Sequence, residues 1–203
     1  MAAEKEFSEL KALVNARFER SMTIPEAFFN AEAERIARVC WEIARRFHQR
    51  GRLLAFGNGS LATDAQHVAV EFVHPVIVGK RALPALALTN DSATLSSQFE
   101  GDGGTSFARQ IEVLARPQDI AMGFSLDGRS PNIVKALETA RHMGLLTLAL
   151  AGGNGGLLGK SEVDYCFIVQ TDDPLVIQET YEMLYHVLWE LVHIFFEHEG
   201  LLT

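Results

Sequence analysis

The chain has 203 residues, 48% of them hydrophobic and 22% charged, which is enough for one sizeable core, short for two, and too apolar for a disordered chain. Its formal charge of −8 makes nucleic acid a poor partner. No apolar run reaches the roughly 18 residues needed to cross a bilayer. The opening Met1-Ala2-Ala3-Glu4-Lys5-Glu6 is acidic with no apolar segment behind it, so no secretory signal is expected and the cytoplasm is the expected compartment. Two cysteines, Cys40 and Cys166, are too few for a disulfide framework or a four-thiolate zinc site. Both lie in apolar stretches and read as buried, reduced core residues.

Residues 5–50 carry two helical stripes. Phe7, Leu10, Leu13/Val14 and Phe18 form the first, and Ile36, Val39, Cys40, Ile43, Ala44 and Phe47 the second. Between them Ser21-Met22-Thr23-Ile24-Pro25 predicts a break, hence an N-terminal helical pair. The basic run from Arg45 to Arg50 falls where cations complement a helix C-terminus, and Gly51 supplies the stop.

From residue 51 onward, short apolar runs alternate with helical periodicity. Residues 53–56, 84–88, 120–124, 146–150 and 166–169 are continuously apolar, the pattern of strands covered on both faces. A long amphipathic helix from about Pro174 to Glu197 closes the chain. The expected fold is α/β: a five-stranded, doubly wound parallel sheet flanked by helices, a flavodoxin-like three-layer sandwich preceded by the helical pair. All 203 residues form one domain in this reading, with residues 1–50 serving oligomerisation and 51–203 forming the α/β core. The helices offer more apolar stripe than one small sheet needs, so oligomerisation through them is expected.

Three loops at strand ends can meet an anion. The first strand runs into Gly57-Asn58-Gly59-Ser60-Leu61-Ala62, where glycines admit a close backbone approach and a helix N-terminus follows. Thr63 and Gln66 suggest a capping box that starts this helix near residue 64. The third strand runs into Ser125-Leu126-Asp127-Gly128-Arg129-Ser130-Pro131, with Ser130 as N-cap and Pro131 at the first helical position. The fourth ends in Gly152-Gly153-Asn154-Gly155-Gly156. In open α/β sheets these loops converge on a crevice. Gly57-x-Gly59-x-x-Ala62 also meets the loose dinucleotide fingerprint, but no acid stands at the required distance.

His67 and Glu71 leave one face of the helix after the first loop, and Gln178, Glu182 and His186 step by four along the closing helix. Two imidazoles, a carboxylate and an amide oxygen can hold zinc or a similar ion. The same groups can act as general acid and base, and the same spacing also occurs in plain surface pairs.

Gly57-Asn58-Gly59, Asp64-Ala65-Gln66-His67 and Glu71 resemble the sugar isomerase (SIS) domain of phosphoheptose isomerases, which convert sedoheptulose 7-phosphate to a heptose 7-phosphate. Pro84–Asp91, Arg109-Gln110, Ser130-Pro131-Asn132, Ile177-Gln178-Glu179 and His186 extend the resemblance over nearly the whole chain. It implies a homotetramer with active sites between subunits, acting on a phosphorylated sugar through an enediolate. By this resemblance His67, Glu71, Gln178 and His186 are zinc ligands, one ion per site, with Glu71 and His186 as the catalytic pair. Substrate contacts are expected from Asn58, Gly59, Ser60, Asp91, Ser125, Asp127, Ser130 and Gln178, although Asp91 also suits a helix cap. A related branch, the replication-initiator-associating proteins, lacks the Glu and the final His, which this chain keeps.

The phosphate end departs from the family pattern. Leu61 and Leu126 stand where hydroxyl residues are usual, Pro75 where an arginine is common, and Asp127 and Arg129 fill the second loop. A carboxylate about 4 Å from an anionic charge is repelled by about 1 kcal/mol in water and about 4 kcal/mol at an effective dielectric of 20. Arg129, Lys80 or Arg81 would offset this if turned inward. Three readings therefore stand: retained isomerase, isomerase with an altered ligand, and a non-catalytic sugar-binding or regulatory module. The Gly101-Asp102-Gly103-Gly104 loop matches the family only at Asp102.

Overall fold

A computed structural model describes residues 2–96 and 105–202, so the 101–104 loop lies outside the described residues. The five apolar runs form strands β1 (Leu53–Gly57), β2 (Ala85–Ala87), β3 (Ile120–Ser125), β4 (Leu146–Gly152) and β5 (Tyr165–Val169). All pairs are parallel and the spatial order is β2-β1-β3-β4-β5. Every residue of β1, β3 and β4 is buried, which is what continuous hydrophobicity demands.

The helices are α1 (Ala2–His48), α2 (Leu61–Val73), α3 (Ser92–Ser96), α4 (Ser106–Leu114), α5 (Pro131–His142) and α6 (Pro174–Glu197). Alternate strand residues point to opposite faces. Leu53, Ala55, Met122, Phe124, Leu148 and Leu150 join a core with α1, α2 and α6, whereas Leu54, Phe56, Ala121 and Ala149 join one with α4 and α5. The three layers follow directly from that alternation, and α6 spans the residues its stripe indicated.

The expected helical pair is one continuous helix. Pro25 lies inside α1 and is buried, at a cost of about 3 kcal/mol for the lost hydrogen bond and ring clash. Packing along α6 outweighs it. Arg17 reaches Glu179 at 2.6 Å and Arg20 reaches Asp173 at 3.6 Å before the proline, while Phe28, Ile36, Val39, Cys40 and Ile43 enter the core beyond it. The earlier stripe of Phe7, Leu10, Leu13, Val14 and Phe18 is more than half exposed throughout.

The capping box is also absent. Helix α2 begins at Leu61, because Gly59 turns the chain with φ +57° and Leu61 anchors the first turn in the core. The Thr63 hydroxyl donates to the Ser60 carbonyl instead. Both cysteines are free; Cys40 is buried, but Cys166 on edge strand β5 is half-buried. Burial pushes their thiols up to about 12 and about 11.

Gly128 fastens the loop after β3 to the glycine turn after β4. Its φ is +69°, its carbonyl accepts from Leu157 and Leu158, and an added Cβ would sit 2.0 Å from the Gly155 oxygen. Gly128→Ala should therefore cost about 2 kcal/mol or more, combining left-handed strain with a backbone clash. Urea unfolding measures this, and an unchanged midpoint would show that the two loops are not locked together.

Candidate active site

Strand β1 is the point where the sheet's winding reverses: its chain leaves toward β2 on one side, and β3 lies on the other. The loops after β1 and β3 therefore part and leave a crevice between them. The Asn58 and Asn132 amides bridge it with two reciprocal hydrogen bonds of 2.9 Å. Ser130 takes extended backbone before Pro131, as an N-cap should. Its hydroxyl meets that of buried Ser125 at 3.1 Å rather than capping the helix. The Tyr181 hydroxyl donates to the Ser125 carbonyl.

Beside this crevice α2 packs on α6, and the polar face of each meets the other. Asp64, His67 and Glu71 recur at three- and four-residue spacing along α2. His67 Nε2 lies 3.2 Å from Glu71 Oε1, and His186 Nε2 lies 4.0 Å from the same oxygen. The Glu71 side chain is 11% exposed, so its carboxylate sits at the floor of the cluster, below half-exposed His186. Trp189 Nε1 donates to the Glu71 carbonyl at 2.8 Å, which fixes that turn of α2.

Zinc held tetrahedrally at roughly 2.0–2.1 Å has donors about 3.3 Å apart. The 3.2 Å between His67 Nε2 and Glu71 Oε1 matches that spacing, the 4.0 Å to His186 Nε2 is wider, and the donor chemistry of His67, Glu71 and His186 suits the ion. A second arrangement shares the histidines: donors of His67, Glu182 and His186 lie within 4.8 Å of one another, with Glu182 Oε1 3.7 Å from His67 Nδ1. Gln178 lies on the same side of α6, and its Nε2 donates to buried Asp64 at 2.7 Å. Burial raises the Asp64 carboxyl above the ordinary range, opposed by that hydrogen bond.

Tyr185 also belongs to the cluster, its hydroxyl 2.7 Å from His67 Nδ1. Neither Tyr185 nor Trp189 is among the site residues expected from the sequence, and the pairing of Asp64 with Gln178 is not expected there either. The available signal was position: Gln178, Tyr185 and Trp189 stand seven and then four residues apart, one stripe of a helix.

The remaining expected contacts are spread out. Asp91 caps α3 by accepting from the Ala93 and Thr94 amides; its hydrogen bonds with Thr94 hold its carboxyl below the usual range. Asn58 and Gly59 line a cleft with Thr89 and Ser92, next to exposed Ser60. Asp127 lines another with Arg129, Gly153 and Asn154, and its carboxylate accepts from the Arg129 amide at 2.9 Å. Lys80 and Arg81 do not turn inward, since they pair with Glu197 and Glu199 near the end of α6. Leu61 packs in the core cluster and partly buried Leu126 packs against it.

A family model described as the SIS domain matches residues 18–152. A curated phosphoheptose isomerase from Thermodesulfovibrio yellowstonii is 39% identical over 191 residues, covering 93% of this chain and 94% of the relative. Another, from Aquifex aeolicus, is 39% identical over 176 residues, 86% of this chain and 92% of the relative. The solved phosphoheptose isomerase of Neisseria gonorrhoeae superposes with TM-score 0.82 at 27% identity, over 90% of this chain and 98% of that one. That of Francisella tularensis gives 0.80 at 30% identity, over 89% and 96%.

The amide bridge over the crevice is testable by a double-mutant cycle. Asn58→Ala and Asn132→Ala should each destabilise the fold by about 1 kcal/mol, and the double variant by little more than either, because both bonds are lost with either partner. Additive losses in urea unfolding would mean that the two amides do not act as a pair.

Proposed function

This chain belongs to the phosphoheptose isomerase family of SIS-domain proteins, a sugar-phosphate isomerase, and on that premise we propose that it interconverts sedoheptulose 7-phosphate and its aldose at the α2–α6 cluster. The observation that carries this reading is the Glu71 carboxylate, nearly buried and flanked at 3.2 and 4.0 Å by two imidazoles.

The reaction needs a base at carbon, a proton donor at oxygen and stabilisation of developing negative charge. In the proposed mechanism Glu71 takes the C1 proton of the ketose. The C–H electron pair becomes the C1=C2 bond, the carbonyl pair moves to O2, and His186 supplies a proton there. Collapse in the other sense forms the C1 carbonyl, passes the O1 proton to His186 and so restores it, and returns a proton from Glu71 to C2. His67, Glu71, Gln178 and His186 would hold a zinc ion, which when bound would polarise the substrate carbonyl. A carboxylate engaged as a ligand is a weak base, so Glu71 takes its proton with the carboxylate free. Ser130, Asn58, Gly59 and Ser60 lie in the loops beside the crevice, with Ser125 buried behind Ser130, and their backbone amides and hydroxyls suit the phosphate.

The non-catalytic reading is not favoured. Glu71 and both histidines are present together, and the matched relatives are named as isomerases over almost their full length.

Glu71→Gln should lower kcat on sedoheptulose 7-phosphate by about 10²- to 10⁴-fold, and His186→Ala by a similar factor, with unchanged thermal unfolding. The coupled assay is run on zinc-loaded protein. Full activity in either variant, or none in the parent on any ketose phosphate, would remove the proposal. We further propose a homotetramer assembled through the exposed α1 stripe, with sites between subunits. Among the described residues no helix is long and apolar enough to cross a membrane. Phe18→Glu should shift sedimentation from tetramer to smaller species, and an unshifted tetramer would place the interface elsewhere.

A further inference from the structure

An imidazole offers two nitrogens, and around His67 three oxygens compete for them. Glu71 Oε1 is 3.2 Å from Nε2, while Nδ1 faces the Tyr185 hydroxyl at 2.7 Å and Glu182 Oε1 at 3.7 Å. Two carboxylates, one nearly buried and one half-exposed, thus stand at opposite edges of the ring. Which edge meets an ion decides whether Glu71 or Glu182 shares it.

We propose that Tyr185 is the positioning residue that settles this choice: its hydroxyl occupies His67 Nδ1, commits Nε2 to the Glu71 side, and keeps Glu182 out of the ligand set. The inference rests on the zinc site read above. Tyr185 is suited to the task because its ring cannot swing away. It is 1% exposed and packs edge-on against Phe124 at 6.4 Å, His186 at 5.0 Å and His67 at 5.3 Å.

A hydroxyl can also serve both tautomers, which a carboxylate cannot. With Nε2 protonated and donating to Glu71, the Tyr185 O–H donates to Nδ1. With the Nε2 lone pair free for an ion, Nδ1–H donates to the Tyr185 oxygen. The 2.7 Å contact survives both states, so the ring stays oriented as its proton moves. Metal-bound histidines generally rely on such a partner at the far nitrogen. Without the hydroxyl, Glu182 needs to move only about 1 Å to reach hydrogen-bond distance of Nδ1. The trio His67, Glu182 and His186, already within 4.8 Å, would then compete for the ion and leave Glu71 outside.

The test measures zinc affinity by chelator competition for the parent, Tyr185→Phe, Glu182→Gln and the double variant. Co(II) absorption spectra, thermal unfolding, and kcat and KM on sedoheptulose 7-phosphate accompany it. Tyr185→Phe should weaken zinc by about 10- to 100-fold, lower kcat with KM within about twofold, and alter the Co(II) spectrum. Glu182→Gln alone should leave zinc affinity within about twofold, yet in the Tyr185→Phe background it should weaken zinc further. Parent-like zinc affinity in Tyr185→Phe overturns the inference while the isomerase reading stands. A tenfold loss in Glu182→Gln alone also overturns it, and decides the matter by itself if Tyr185→Phe does not fold. A parent that binds no zinc overturns the metal site and the inference together.

Discussion

The seam between α2 and α6 is the contact on which the site depends. Three hydrogen bonds cross it in step: Gln178 to Asp64, Tyr185 to His67, and Trp189 to the Glu71 carbonyl. Their positions ascend together on both helices, as expected when each helix follows a strand of one parallel sheet and packs on the same face. A slip of one residue along either helix would break all three at once. The register that brings His186 within 4.0 Å of Glu71 is therefore held by side chains on either side of it, rather than by the imidazole itself.

The seam is polar within an otherwise apolar layer, which imposes a second condition. A buried polar group without a partner costs about 1–3 kcal/mol, so such a seam is tolerable only when satisfied. Among the described residues the buried side-chain atoms without partners are Ser106 Oγ and Glu179 Oε2. Glu179 turns toward Arg17 of α1, so the Asp64, His67, Tyr185 and Trp189 rungs are all satisfied. Burial raises the Tyr185 phenol above its ordinary range, with the nearby Glu182, Asp64 and Glu71 adding to it. The group at His67 Nδ1 accordingly stays a neutral hydroxyl.

Much of this was legible in the sequence because it follows from periodicity. Continuous apolar runs give doubly covered strands, and the His67–Glu71 and Gln178–Glu182–His186 spacings give two polar stripes. What was not legible depended on tertiary context. Ser21–Pro25 has the composition of a turn, but its helical path is set by the packing of α1 on a helix more than 140 residues away, with Arg17 and Arg20 pairing to Glu179 and Asp173 there. Thr63 and Gln66 fit a cap locally, yet burial of Leu61 starts the helix earlier. Tyr185 belongs to both a core stripe and a polar one, and sequence spacing cannot show which way a phenol hydroxyl is used.

The substitutions at the phosphate end carry less weight once placed. Leu61 is a core residue and partly buried Leu126 packs against the same core, so their side chains contribute apolar burial where hydroxyls would have to be satisfied. Asp127 is exposed and closes its own turn on the Arg129 amide, lining a different cleft from that of Asn58 and Gly59. For an exposed carboxylate the aqueous end of the electrostatic range applies, about 1 kcal/mol per unit charge at 4 Å, and less with distance and salt. Ser125 and Ser130 keep their hydroxyls in contact 3.1 Å apart, that of Ser125 buried beneath the loop. The loop has thus gained an exposed charge while both serine hydroxyls are kept, and a repulsion of that size is no more than a single charge-assisted hydrogen bond contributes.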